Sequence, residues 1–170
     1  MKKLSAFILT AAVCLLCAPL AACTNDKRDV SRYEISATYD CEERKLAGTV
    51  KFTYFNDTQN QISDLKFNLW GNAYRQDALY KPVPDAYSAK AYYGGADYGG
   101  MTVENVENCA GWNVGGEDEN ILTVNLLTPV YPDDTVSVTL TYTLELAKVN
   151  HRTGVTKNTV NLGNFYPVLC

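Results

Sequence analysis

The chain has a single histidine, His151, in 170 residues. A zinc hydrolase helix of the form His-Glu-x-x-His needs two on one face, so no such site can be built from this sequence. Neither a Gly-x-Ser-x-Gly nucleophile elbow nor a glycine-rich phosphate loop occurs. Basic residues are also short, with 15 Lys and Arg against 19 Asp and Glu. A nucleic-acid partner, which demands a basic footprint, is therefore not expected. After the first two dozen residues there is no long apolar run, and no segment keeps a helical period over three turns.

The exception stands at the beginning. Lys2 and Lys3 precede a stretch without charge through Ala22, with Phe7, Ile8, Leu9 and Val13 in its apolar centre. This is the layout of a secretory signal peptide. It closes on Leu20-Ala21-Ala22-Cys23, which resembles the lipobox of bacterial lipoproteins, where cleavage precedes a cysteine that takes a diacylglycerol. The alternative is an uncleaved transmembrane anchor of barely sufficient length. Residues 1–22 are thus predicted to be a signal peptide of the lipoprotein type. Residues 23–31 are predicted to be the lipidated Cys23 and a polar tether. Either alternative puts the remainder on the extracytoplasmic side, attached to the membrane, and two acyl chains suffice for stable attachment.

Cysteine usage adds little. Cys14 and Cys17 fall in the predicted leader, which leaves Cys41, Cys109 and Cys170 besides Cys23. These three are too widely spaced for a zinc knuckle. An exported location permits a disulfide, but three free thiols remain an equal reading.

From residue 32 onward the period becomes two. Tyr33, Ile35, Ala37 and Tyr39 alternate with polar residues, and Val50, Phe52 and Tyr54 do so after the charged turn at 42–45. Leu65, Phe67 and Leu69 form a third run. A long one follows in Val136, Val138, Leu140, Tyr142, Leu144 and Leu146, interleaved with threonines. Such alternation excludes an amphipathic helix, whose apolar spacing is three and four. With shorter strands at 101–106 and 121–127, residues 32–170 are predicted to be one all-β domain, an antiparallel sheet or sandwich. Residues 109–119 read as a loop.

Candidate chemistry is sparse. His151 is expected in a loop after the long strand, without a ligand or base role. Glu42-Glu43 and Asp133-Asp134 read as solvated turns, because neighbouring side chains on a strand or turn point apart. The excursion at 71–100, rich in Gly, Tyr and Pro, is the best binding candidate. Tyr87, Tyr92, Tyr93 and Tyr98 offer flat faces, and Gly94, Gly95, Gly99 and Gly100 allow close backbone approach. The competing expectation is a loop that packs its aromatics over its own sheet. No catalytic, cofactor or metal residue is assigned.

The order of these pieces is similar to the N-terminal, non-catalytic domain of M1-family zinc aminopeptidases. The likeness rests on Tyr33-Glu34-Ile35-Ser36-Ala37-Thr38-Tyr39-Asp40, on the Leu-x-Gly-x-Val pattern of Leu46-Ala47-Gly48-Thr49-Val50, and on the run from Asp64 to Trp70. It continues through Tyr98-Gly99-Gly100-Met101-Thr102-Val103 and the strand with Leu122-Thr123-Val124, and ends with Asn164-Phe165-Tyr166-Pro167. The resemblance implies a saddle-like β-domain that walls one side of a substrate cleft. It also implies that zinc, the peptide substrate and catalysis belong to a catalytic domain beyond this sequence. The family's Gln or Glu before the closing motif is absent here, so no substrate residue carries over. The apolar finish from Phe165 to Leu169 is expected to be exposed unless that domain covers it. The alternative function is a stand-alone surface lipoprotein that binds glycan or protein through the 71–100 excursion.

Mass spectrometry of the membrane-bound protein is expected to show an N-terminal diacylglyceryl Cys23; an intact Met1 or a mature terminus elsewhere would refute the lipoprotein reading.

Overall fold

A computed structural model describes residues 29–170. The predicted signal peptide, Cys23 and most of the tether lie outside the described residues. The remainder is all-β and antiparallel, as the alternation predicts.

Strand β1 (Arg32–Asp40) turns through residues 41–44 into β2 (Lys45–Phe55). Asp40 nucleates this turn by accepting the N–H groups of Glu42 and Glu43 at 2.8 and 3.1 Å. Strand β2 then pairs along its whole length with β7 (Thr135–Glu145), and β7 pairs with β4 (Gly100–Glu107). This makes a four-stranded sheet in the order β1-β2-β7-β4. The second sheet runs β10-β3-β6-β5, from β3 (Ile62–Asn68), β5 (Cys109–Gly115), β6 (Ile121–Val130) and β10 (Val168–Leu169). A small ribbon of β8 (Thr153–Val155) and β9 (Val160–Leu162) lies between β7 and β10 in the chain.

The inward residues of both sheets form one core. From the first sheet come Val50, Phe52, Val138, Leu140 and Tyr142; from the second come Leu65, Phe67, Leu122 and Val124. Rings of Phe52 and Phe67 meet edge to face at 5.4 Å between centroids, at an interplanar angle of 86°. Each sheet buries one face and leaves the other wet, which is what the strict alternation of β2 and β7 encodes.

The chain crosses between sheets at several connections, and one buried side chain organises two of them. Asn56 is fully buried and donates from Nδ2 to the carbonyls of Asn60 and Val130 at 2.8 and 3.0 Å. Its Oδ1 accepts from Thr58 N and Oγ1. Its backbone bonds to Asp133 and Asp134 as well. The β2–β3 loop and the β6–β7 turn are thereby one unit, with every polar atom of the carboxamide satisfied. Asn108, at φ 62°, is the corner between β4 and β5, where a single extended run leaves one sheet and joins the other.

Three differences from the sequence expectation stand out. Residues 109–115 form a strand rather than a loop. Their glycines and asparagine have low strand propensity, but pairing with β6 overrides it. Strand β6 also runs on to Val130, past Pro129, which an edge or bulged position tolerates. The third concerns the apolar finish. Phe165, Tyr166, Val168 and Leu169 are half-buried and Pro167 is buried, whereas exposure was expected. Strand β10 pairs with Phe67 and Asn68, and the Leu169 N–H donates to the Tyr33 hydroxyl at 2.8 Å.

Gly48 explains the middle of the Leu-x-Gly-x-Val string. A Cβ there would lie 2.6 Å from the Tyr142 ring, which is 1% exposed and has no room to swing away. The Tyr142 hydroxyl is buried without a hydrogen-bond partner among the described residues. Burial, with a smaller contribution from nearby Tyr166, pushes its pKa up from 10.0 to about 12.

Gly48→Ala is expected to destabilise by about 1–3 kcal/mol through overpacking, and Tyr142→Phe to stabilise by about 1 kcal/mol by removing an orphaned hydroxyl. The native protein keeps the Tyr142 proton longer than the unfolded chain does. Its contribution is therefore complete below pH 10 and is lost between 10 and about 12. Denaturant melts of the three proteins across that range check both claims; a Tyr142→Phe variant less stable than wild type would contradict them.

Candidate functional site

The 71–100 excursion carries the chain from β3 in one sheet to β4 in the other. It opens with a 3₁₀ turn (Trp70–Tyr74) and contains one short helix, α1 (Asp85–Ala91). Neither had a period long enough to read from the sequence.

The excursion is fastened at several points. Asn72 is buried; its Nδ2 donates to the Glu119 carbonyl at 2.6 Å and its Oδ1 accepts the Met101 N–H at 2.7 Å. Asp118, also buried, accepts the N–H groups of Leu79 and Tyr80 at 2.7 and 3.1 Å. Asp97 accepts from the Lys148 N–H at 3.0 Å and from the Arg44 guanidinium at 2.8 Å. Burial alone would raise the Asp97 carboxyl; the Lys148 N–H and then Arg44 outweigh it and hold the group below its ordinary range. Beneath these ties a second apolar cluster forms from Tyr74, Val83, Ala91, Ala147 and Val149, with Tyr92 against it.

The sequence candidates therefore divide. Tyr92 packs inward, as the self-packing expectation holds, while Tyr87, Tyr93 and Tyr98 are exposed. Gly94 and Gly95 face open space, but Gly99 presses on the protein itself: a Cβ there would sit 2.2 Å from the Glu145 carbonyl. Its freedom serves β7, not a ligand. A cleft of about 480 Å³ opens between α1 and the 95–98 segment, with Lys81, Asp85, Ser88, Tyr92, Asp97 and Tyr98 on its walls.

His151 lies beside a second cleft, of about 240 Å³, with Tyr87 and Lys90. Its Nδ1 is 2.7 Å from the Tyr74 hydroxyl, which also accepts the Thr153 N–H at 3.4 Å. Burial raises the Tyr74 phenol, against the hydrogen bonds from Thr153. The hydrogen-bonded pair ties the 150–153 segment to the excursion.

Glu42 and Glu43 lie exposed on the β1–β2 turn, and Asp133 and Asp134 on the β6–β7 turn, where the sequence put them. Cys41, Cys109 and Cys170 are all free thiols. Among the described residues no group of three or more His, Cys, Asp or Glu is placed to hold a metal. No helix among them is long and apolar enough to cross a membrane. Sequence reasoning missed a third cleft, between Trp70 and Tyr80, because Asp118 and Asn120 join Asn68 in its polar wall from a loop distant in the chain.

Scans against protein-family models, curated proteins and solved structures find no match for this chain.

Replacing Asp97 with Ala is expected to cost about 1.5–3 kcal/mol at neutral pH, the range for hydrogen bonds to a charged group. A carboxyl held low in the folded state stabilises above its unfolded pKa and ceases to do so as pH falls through the folded value. The difference between Asp97→Ala and wild type should therefore close in acid. A difference that persists undiminished in acid would show that Asp97 acts by packing rather than charge.

Proposed function

We propose that this chain is the non-catalytic N-terminal β-domain of an exported, lipid-anchored M1-type zinc metallopeptidase. In this role it forms one wall of the substrate cleft, and a separate domain carries the zinc and the catalytic residues. The peptide substrate meets it only at that wall.

The observation that carries the proposal is the junction between the opening strand and the closing motif. Tyr166 of the Asn-Phe-Tyr-Pro string sits edge-on to Tyr33 of β1, at 5.4 Å between centroids and 61° between planes. The Leu169 N–H then bonds to the same tyrosine. Segments that the family resemblance sets at the two ends of the domain are thus partners in space, and β10 runs along the edge of β3. The Leu-x-Gly-x-Val string also has a structural reason, since Gly48 makes room for Tyr142.

Exposed apolar residues on the first sheet also support the reading. Ile35 and Ala37 pair with Val50 and Gly48 on the inward side of the first sheet, yet both are exposed. An apolar strip of this kind on an otherwise wet edge suits a fixed neighbour.

Isolation of the native protein from its membrane, with peptide mapping of everything covalently or stably attached, tests the proposal. Peptides of a His-Glu-x-x-His domain, either continuous with Cys170 or co-purifying, are expected. A native polypeptide that terminates at Cys170 and sediments alone would overturn it.

A further inference from the structure

The geometry points to a carbohydrate-binding seat in the cleft between Trp70 and Tyr80, for an uncharged sugar ring of a surface or cell-wall glycan. This inference stands independently of the peptidase proposal.

Two large aromatic side chains flank the cleft and are held out in water. Trp70 is 48% exposed and Tyr80 is 70% exposed. Single exposed aromatics are ordinary, but these two share one depression of about 110 Å³. Both stand on fixed backbone. Trp70 begins the 3₁₀ turn closed by the Asn72 N–H on the Leu69 carbonyl at 3.0 Å. The N–H of Tyr80 is held by the buried Asp118 carboxylate at 3.1 Å. Backbone that is already ordered adds little to the entropy lost when a ligand stacks on the rings it carries.

The polar wall selects the ligand class. Asn68 and Asn120 line the cleft, are half-buried, and make no side-chain hydrogen bond among the described residues. A carboxamide offers donors and an acceptor together, which matches a sugar hydroxyl. Asp118, the only charged group in the lining, has each oxygen engaged by a backbone N–H. An anionic ligand thus finds no counter-charge in this lining, and the Asp118 oxygens already accept backbone N–H groups. The volume takes one ring against an aromatic face. An extended proline-rich peptide also uses aromatic grooves but needs several successive pockets, and this depression provides one. Neutral saccharide is therefore the favoured ligand and peptide the rival.

The test uses the full chain, titrated by calorimetry with hexasaccharides of glucose, N-acetylglucosamine and mannose, and with a proline-rich peptide as comparator. At least one hexasaccharide is expected to bind saturably, at millimolar affinity or better. Trp70→Ala and Asn120→Ala are each expected to weaken that binding roughly tenfold, equivalent to about 1.4 kcal/mol. A Trp112→Phe protein, whose one remaining tryptophan is Trp70, should report the same binding by a change in emission. If Trp70→Ala fails to fold, judged by its thermal melt, Tyr80→Ala takes its place, since that side chain is mostly in water. No saturable response to any of the three sugars would overturn the assignment. So would binding unchanged in the aromatic variants, or binding of the peptide alone.

Discussion

A column of aromatic rings holds this domain together, and Phe52 is its hub. Phe52 meets Phe67 of the opposite sheet at 5.4 Å and Tyr33 of the edge strand at 4.5 Å. Tyr33 meets Tyr166, and Tyr166 meets Phe165 at 5.2 Å. Sheet-to-sheet packing, the attachment of β1 and the seating of the closing segment are thus one chain of contacts. Edge-to-face pairs contribute about 0.5–1.5 kcal/mol each beyond their buried area, but the larger effect is geometric. Strand β1 has little burial of its own, with only Tyr33 and Tyr39 partly covered. Without the column it would be a frayed edge.

Much of the architecture was legible because period two is a physical signature of a half-buried strand. Val138, Leu140, Tyr142 and Leu144 all point inward as their spacing requires. Strand β5 was not legible, because Gly111, Asn113 and Gly115 interrupt its short apolar face of Trp112 and Val114, and pairing with β6 supplies the rest of its order. The fate of the apolar finish was not legible either. Phe165 and Tyr166 could have been packed under another domain or under this one, and only the three-dimensional position of Tyr33 decides. For the same reason Tyr87 and Tyr92, so alike in sequence, separate into an exposed and an inward residue.

The excursion between β3 and β4 shows how a long loop becomes a fixed surface. Asn72 and Asp97, near its two ends, bond to the backbone of Met101, Glu119 and Lys148 outside it, and Asp118 accepts the N–H groups of Leu79 and Tyr80 within it. Their hydrogen bonds replace the ladder that a strand would have. The aromatic groups left over, Trp70 and Tyr80 among them, are then displayed on backbone that does not need to reorganise. Binding sites built this way on a rigid sandwich follow the general division between a scaffold and the loops it positions.

The dependence of the ends on the column can be measured directly by native-state hydrogen exchange at the Leu169 amide, which donates to the Tyr33 hydroxyl. The account predicts that this amide is protected in the native protein. It also predicts that protection falls both in Tyr33→Phe, which removes the acceptor, and in Phe52→Leu, which removes the ring that Tyr33 packs on and leaves the Tyr33 hydroxyl in the sequence. A Leu169 amide that exchanges at the unprotected rate in the wild-type protein, or one indifferent to Phe52→Leu, would contradict it.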